Sequence, residues 1–158
     1  MLERLTRFRR DLHRIPELDF DLPETTAYVK RVLETLDCEI IFPAGVGLCA
    51  WFDAGKDASV AFRTDMDALP ISEQTGAAFA SVHPGKMHAC GHDGHMAMML
   101  EFAHYVNDVR AQLTKNVLLV FQPAEETTGG ARLICESGIF AEKQVEAIWG
   151  CHLWPDLP

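Results

Sequence analysis

The chain has 158 residues, with 23 acidic against 14 basic side chains and a formal net charge of −9 at pH 7. No basic patch is visible to offset that balance, which argues against nucleic acid or an anionic membrane as partner, because both would repel the chain. Apolar residues make up 48% and aromatic residues 9%, which fits one folded soluble domain with a sizeable core and excludes a disordered chain.

The first residues, MLERLTRFRRDLHRI, are charged and helix-patterned, unlike a basic-then-apolar secretory leader, and no stretch reaches the roughly 18 apolar residues of a membrane span. A cytoplasmic location is expected. Five cysteines (Cys38, Cys49, Cys90, Cys135, Cys151) are an odd number without framework spacing, so buried thiols plus one ligand or nucleophile are expected in a reducing compartment.

Residues 2 to 15 place Leu5, Phe8, Leu12 and Ile15 at helical intervals before Pro16, which predicts an amphipathic helix. A second helix is predicted from Pro23, where proline suits the first turn, through Tyr28, Val32, Leu33 and Leu36. Residues 40 to 42 are too short a run to classify. Residues 46 to 52 and 59 to 64 read as two strands joined by a turn at 53 to 57, and the pair reads as a hairpin. A helix follows over 93 to 109, with Met96, Met99, Leu100, Ala103 and Val106 on one face. The unbroken apolar run of residues 117 to 121 reads as a strand buried on both faces, ended by Pro123. After Gly129 and Gly130 come a short helix over 131 to 136 and a strand over 145 to 151. Helices alternating with buried strands predict an α/β fold whose sheet is mixed and mainly parallel.

The polar residues cluster at strand ends. Asp65 and Asp67 follow one strand, Glu125 and Glu126 a second, His152 a third, and ligands of open α/β sheets bind beyond the carboxyl ends of the strands. Between them, Met87-His-Ala-Cys-Gly-His-Asp-Gly-His95 packs a thiol, three imidazoles and a carboxylate into nine residues. Cys90 and His92, two apart across a glycine, can reach one ion, and thiolate with imidazole suits zinc and neighbouring transition metals. His13, His83 and His104 read as packed or surface histidines, and His95 stays open between ligand and packed residue. Cys38, Cys49, Cys135 and Cys151 read as buried thiols. Two adjacent carboxylates at a buried strand end repel unless a cation or proton sits between them, so Glu125 and Glu126 read as a ligand and a general base beside activated water. A thiol-hydrolase reading, with Cys90 as nucleophile and His92 or His95 as base, would leave Glu125, Glu126 and His152 without a role.

Five ordered segments carry a resemblance: Asp11-Leu-His-Arg-Ile-Pro-Glu17, Arg63-Thr-Asp-Met-Asp-Ala-Leu-Pro70, the stretch from Met87 to His95, Phe121-Gln-Pro-Ala-Glu-Glu126, and Gly150-Cys-His-Leu-Trp154. The sequence resembles the M20 metallopeptidase/amidohydrolase family, in its aminoacylase-like branch of hippurate hydrolases, auxin-conjugate hydrolases and N-acetyl-diaminopimelate deacetylases. The resemblance implies a zinc-peptidase-like three-layer αβα fold. It also implies two divalent metal ions (zinc or manganese, with cobalt or nickel as further candidates), bridged by Cys90 and further held by His92, Glu126 and His152. Glu125 would be the general base in hydrolysis of N-acyl amino acids or small amino-acid conjugates by metal-activated water. Asp65 matches the family's acidic residue after the strand and completes the catalytic set; in related branches it orients a metal-ligating histidine two residues earlier, where this chain has Arg63, and His92 supplies the imidazole instead. His88 and His95 match motif positions without an implied ligand role. Family members continue into a lid and dimerisation domain, form homodimers, and return to supply one more histidine. Residues 1 to 158 therefore read as the N-terminal segment of the catalytic domain, with a catalytically inactive fragment or metal-binding remnant as the alternative.

Overall fold

The computed structural model describes residues 1–127 and 129–154. Helix α1 (Leu2–Arg14) buries Phe8 and Leu12, one turn apart on its apolar stripe, and ends at Ile15, where the following Pro16 disfavours helical backbone. Helix α2 (Pro23–Leu33) starts on its proline. The buried carboxylate of Glu17 accepts the N–H groups of Glu24 at 3.1 Å and Thr25 at 2.8 Å, satisfying two donors that have no partner inside the helix.

Five strands follow: β1 (Glu39–Ile41), β2 (Leu48–Phe52), β3 (Ser59–Asp65), β4 (Asn116–Gln122) and β5 (Val145–Gly150). Helix α3 (His92–Val109) separates β3 from β4, and α4 (Gly130–Glu136) with α5 (Ile139–Glu142) separates β4 from β5. The sheet order is β1-β2-β4-β3-β5, antiparallel from β1 to β4 and parallel from β4 through β3 to β5. The sheet is mixed, as expected, but β2 and β3 do not form a hairpin. All seven residues of β4 are buried, and so apolar a strand belongs between two neighbours rather than at an edge. It inserts between β2 and β3, and the connecting loop folds over its start: Asn116 Oδ1 accepts from the Ala54 and Lys56 N–H groups at 2.8 and 3.1 Å. The antiparallel neighbour of β2 on its other side is β1, the run too short to classify from sequence.

One face of the sheet packs against α1, α2 and α3 through Leu12, Leu33, Phe52, Met96, Leu100 and Phe121. The other packs against α4 and α5 through Cys49, Leu118, Val120, Ile134 and Ile139. Three layers result, and each fully buried side chain of this size contributes about 1.5–3 kcal/mol. The thiols divide otherwise than expected. Cys49 is buried in the second core and Cys38 half-buried, but Cys135 and Cys151 are exposed. Cys135 lies on the outer face of the short α4, and Cys151 follows an edge strand with one paired side. Among the described residues, no helix is long and apolar enough to cross a membrane.

Candidate metal centre

Because β3, β4 and β5 run parallel, their carboxyl ends lie on one side of the sheet, with Asp65 opposite Gln122 and Arg63 opposite Gly150 in register. The loops beyond these ends and the N-terminus of α3 bring the sequence-selected residues together. Cys90, His92 and Glu126 each offer a ligand atom within 4.8 Å of the others, and so do Asp65, His92, His95 and His152. His92 belongs to both groups.

Hydrogen-bond partners assign the histidine tautomers. His92 Nδ1 donates to the Asp67 carbonyl oxygen at 2.7 Å, which leaves Nε2 as a lone pair. That nitrogen is buried and has no hydrogen-bond partner among the described residues. It faces Asp65 Oδ2 at 3.7 Å, Glu126 Oε1 at 3.7 Å and Glu125 Oε2 at 3.9 Å. His152 is arranged alike: Nδ1 donates to the Leu153 carbonyl at 2.6 Å, and Nε2 lies 3.4 Å from Cys90 Sγ. Two imidazole lone pairs, a thiol and a glutamate thus converge where a cation would meet them.

The electrostatics favour a positive charge at that point. Burial lowers the affinity of His92 for a proton, yet its bond to Asp67 and the charge of Asp65 hold its pKa above the ordinary 6.5. Burial also opposes ionisation of Asp65, but the hydrogen bond from His95 and the charges of His92 and Arg63 keep its pKa below the ordinary value. Cys90 responds oppositely: burial, then Glu126, Glu125 and Asp65, push its thiol up to about 12. A cysteine nucleophile is activated by cationic neighbours, so this anionic setting disfavours the thiol-hydrolase reading. The buried, unpartnered Nε2 of His92 among carboxylates is the surrounding that a divalent ion with nitrogen, sulfur and oxygen ligands would complete.

The two glutamates are held by their backbone. Asp67 accepts the N–H of Glu125 on Oδ1 at 3.0 Å and that of Glu126 on Oδ2 at 3.1 Å, and Ala124 just before them has φ 51°. Their side chains remain partly open to solvent, 35% and 24% exposed. Cys90 also lines a cleft of about 550 Å³ with Arg9, Phe79, His88 and Trp154, roomy enough for a small molecule.

Several residues of the matched motifs act behind this cluster. Arg63 donates to Asp65 Oδ2 at 3.0 Å and to Gln122 Oε1 at 2.8 Å, tying the ends of β3 and β4. His13 donates from Nδ1 to Asp93 at 2.6 Å and from Nε2 to Glu73 at 3.2 Å. Glu17 ties the start of α2 to the site loop, its carbonyl accepting the Ala68 N–H at 2.7 Å. His88 is buried and burial pushes its pKa down to about 4, so it is neutral, and neither ring nitrogen has a partner among the described residues. Sequence spacing reads His13 only as a packed or surface histidine, and the structure places it among the buried ones; Asp67 has no role in that reading beyond its place after a strand.

A family model described as peptidase family M20/M25/M40 matches residues 61–158. The chain is 46% identical over 158 residues to an N-acetylcysteine deacetylase of Bacillus subtilis (strain 168), covering 98% of this chain and 41% of the relative. It is 40% identical over 156 residues to an uncharacterized hydrolase of Staphylococcus aureus (strain bovine RF122 / ET3-1), covering 98% of this chain and 41% of that protein. Among solved structures, a Bacillus subtilis protein described as a dinuclear metal binding peptidase superposes with a TM-score of 0.92 at 46% identity, over 99% of this chain and 44% of that one. The chain thus spans about 41% of the length of the curated relatives it matches.

Proposed function

The chain belongs to peptidase family M20/M25/M40, and from that premise we propose that it carries the metal-binding half-site of an amidohydrolase. Cys90, His92, Glu126 and His152 would hold divalent metal, with Cys90 as the shared ligand of two ions, zinc or manganese first among the candidates. The observation that carries this reading is His92 Nε2, a buried lone pair with no partner among the described residues, set among Asp65, Glu125 and Glu126 at 3.7 to 3.9 Å. When bound, the ions polarise the amide oxygen and lower the pKa of water.

The protein's own residues do the rest. Glu125 is the general base: its Oε2, on the open side of the cluster, takes a proton from the attacking water and returns it to the leaving nitrogen as the C–N bond breaks and a C–O bond forms. Asp67 fixes the position of that carboxylate through the Glu125 N–H, and Asp65, with one oxygen on His95 and the other on Arg63, acts as a positioning residue. The substrate class is N-acyl amino acids or small amino-acid conjugates, a size the cleft beside Cys90 admits. N-acetylcysteine, in the name of the Bacillus subtilis relative, is the first compound to assay.

Glu125→Gln tests the assignment, because the amide keeps the shape and loses the base. The variant should retain its metal by elemental analysis and lose at least about 100-fold in amine release from N-acetylcysteine. Unchanged turnover would remove Glu125 from the chemistry. Metal uptake by the unmodified chain without amine release from any N-acyl amino acid would instead assign it to metal binding alone.

A further inference from the structure

The sequence position of His95 fits a ligand and a packed residue equally, and although it lies in the cluster of possible ligand atoms, its lone pair is already engaged. The Leu153 N–H donates to His95 Nε2 at 2.9 Å. The ring's proton must therefore sit on Nδ1, where it is donated to Asp65 Oδ1 at 2.7 Å. A second, independent contact fixes the same residue. A Cβ on Gly91 would meet Leu153 Cδ1 at 3.0 Å, and one on Gly94 would meet it at 3.2 Å, so the two glycines leave a notch in the N-terminal turn of α3 that seats one methyl of the half-exposed leucine side chain. Leu153 directly follows His152.

We infer that His95, Gly91 and Gly94 form a receptacle for Leu153, and that this receptacle, rather than the edge strand before it, sets the position of His152 opposite Cys90. His95 is then a positioning residue and not a ligand. The physical need is clear from the chain's course. Residues 151 to 154 leave β5 as irregular, exposed backbone, beyond the last sheet bond between Arg63 and Gly150. Such a segment has no ladder to hold it, and an imidazole at its second residue would sample many positions. Capturing the next residue by both its N–H and its side chain removes that freedom one peptide away from the imidazole. The capture is anchored in turn through Asp65, Arg63 and Gln122, so the ends of β3 and β4 and the segment after β5 are joined by one series of hydrogen bonds. Its consequence for metal affinity rests on the proposed metal centre; its geometry does not.

Two substitutions separate the two bonds of the ring. His95→Gln keeps an acceptor near the place of Nε2, whereas His95→Asn keeps a donor toward Asp65 and withdraws the acceptor from Leu153. In the metal-free, isotope-labelled chain, the Leu153 amide should be protected from hydrogen exchange and show scalar coupling to His95 Nε2, a measurement that needs no variant. Protection should persist in His95→Gln and vanish in His95→Asn. Titrated with Co²⁺ alone, His95→Asn should bind about tenfold more weakly than the unmodified chain, in the range for groups that orient metal ligands, and His95→Gln within about threefold of it. An unprotected Leu153 amide without that coupling would overturn the receptacle. Equal Co²⁺ affinities in His95→Asn and the unmodified chain would overturn its role in placing His152. Failure of the unmodified chain to bind Co²⁺ would strike the metal centre itself, and the Leu153 amide would still decide the receptacle.

Discussion

Asp67 holds Glu125 by the backbone rather than the side chain: the Glu125 N–H donates to Asp67 Oδ1 at 3.0 Å while the neighbouring N–H of Glu126 takes the other oxygen at 3.1 Å. The same residue's carbonyl accepts from His92 Nδ1 at 2.7 Å. One aspartate therefore sets both the turn that aims two glutamates and the tautomer of the central imidazole. Burial opposes ionisation of Asp67, but the bonds from His92, Glu125 and Glu126 hold its pKa below the ordinary value, so it stays charged.

Asp67→Ala should strip both N–H groups of their acceptor. The expected loss is about 1–3 kcal/mol of stability, since hydrogen bonds to a charged group are worth about that much and water can reach part of this turn. Metal affinity should fall about 10–100-fold as the Glu125 and Glu126 carboxylates lose their fixed positions. Urea unfolding of the metal-free protein and competition with a chromophoric chelator measure the two effects. A stability loss with unchanged metal affinity would show that the turn does not aim the glutamates.

Cys90→Ala addresses the donor that we propose two ions would share. Metal stoichiometry by elemental analysis should drop from two toward one or none, and Cys90→Ser, a poorer ligand of similar size, should fall between. The alanine variant should fold normally, because Cys90 is only partly buried and the removed sulfur supports no core. Full retention of two ions would take Cys90 out of the site.

The strand-end logic that gathered Asp65, Glu125, Glu126 and His152 worked because β3, β4 and β5 are parallel, and parallel strands align their carboxyl ends whatever their order in the sheet. That order was the part not legible. Nothing local in residues 48 to 52 or 59 to 65 says that a strand fifty residues later will enter between them, because the pairing is decided by the two-sided burial of β4. Cys151 was misread for a related reason: an apolar run looks the same whether its strand is central or at an edge. His95 stayed open because its role depends on a backbone N–H at position 153, far along the chain, which no spacing rule reaches. Asp67 and His13 were visible as residue types, but their bonds to Glu125, Glu126, Asp93 and Glu73 are tertiary.

Glu73 and His13 give the protein an acid-sensitive support behind α3. Glu73 accepts from the Ser81 N–H at 2.6 Å, from His13 Nε2 at 3.2 Å and from the Thr75 hydroxyl. Burial works against its charge, but these donors bring its pKa down to about 2, from the ordinary 4.5. Between those values the unfolded chain binds a proton that the folded chain does not, so the contribution of Glu73 is complete above about pH 4.5 and is lost as the pH falls toward 2. His13 has the opposite sign. Its bond to Asp93, with the charges around it, raises its pKa above 6.5 against the penalty of burial, so its contribution is complete below that ordinary value and is lost as the pH rises through the raised one. Glu73→Gln should flatten the dependence of urea-unfolding stability on pH between 5 and 3, and should weaken only in part the loss of stability where His13 titrates, because Asp93 is the larger cause of its raised pKa and Glu73 a smaller one. An acid limb as steep as that of the unmodified chain would show that Glu73 is not its source.

Gly130 is where packing against the far side of the sheet reaches the site. It opens α4, and a Cβ built on it would lie 2.1 Å from the Pro123 carbonyl oxygen and 3.0 Å from that carbonyl carbon. Those are backbone atoms and cannot rotate away, so in Gly130→Ala either α4 or the turn that begins at Pro123 must move. The turn is the weaker partner. It has left the sheet, its Ala124 already takes a positive φ, and besides the Ala124 N–H on the Asp19 carbonyl and the two bonds to Asp67 it is held by the Gly129 and Gly130 N–H groups on the Ala124 carbonyl, so a shift at the start of α4 is passed to it. Because Glu125 and Glu126 sit on that turn, Gly130→Ala should cost about 1–3 kcal/mol in overpacking and should also weaken metal binding by about tenfold or more, although the residue touches no ligand. Ala131→Ser, exposed on the same helix, should do neither. Loss of stability with full metal affinity would mean that α4, not the glutamate turn, gives way.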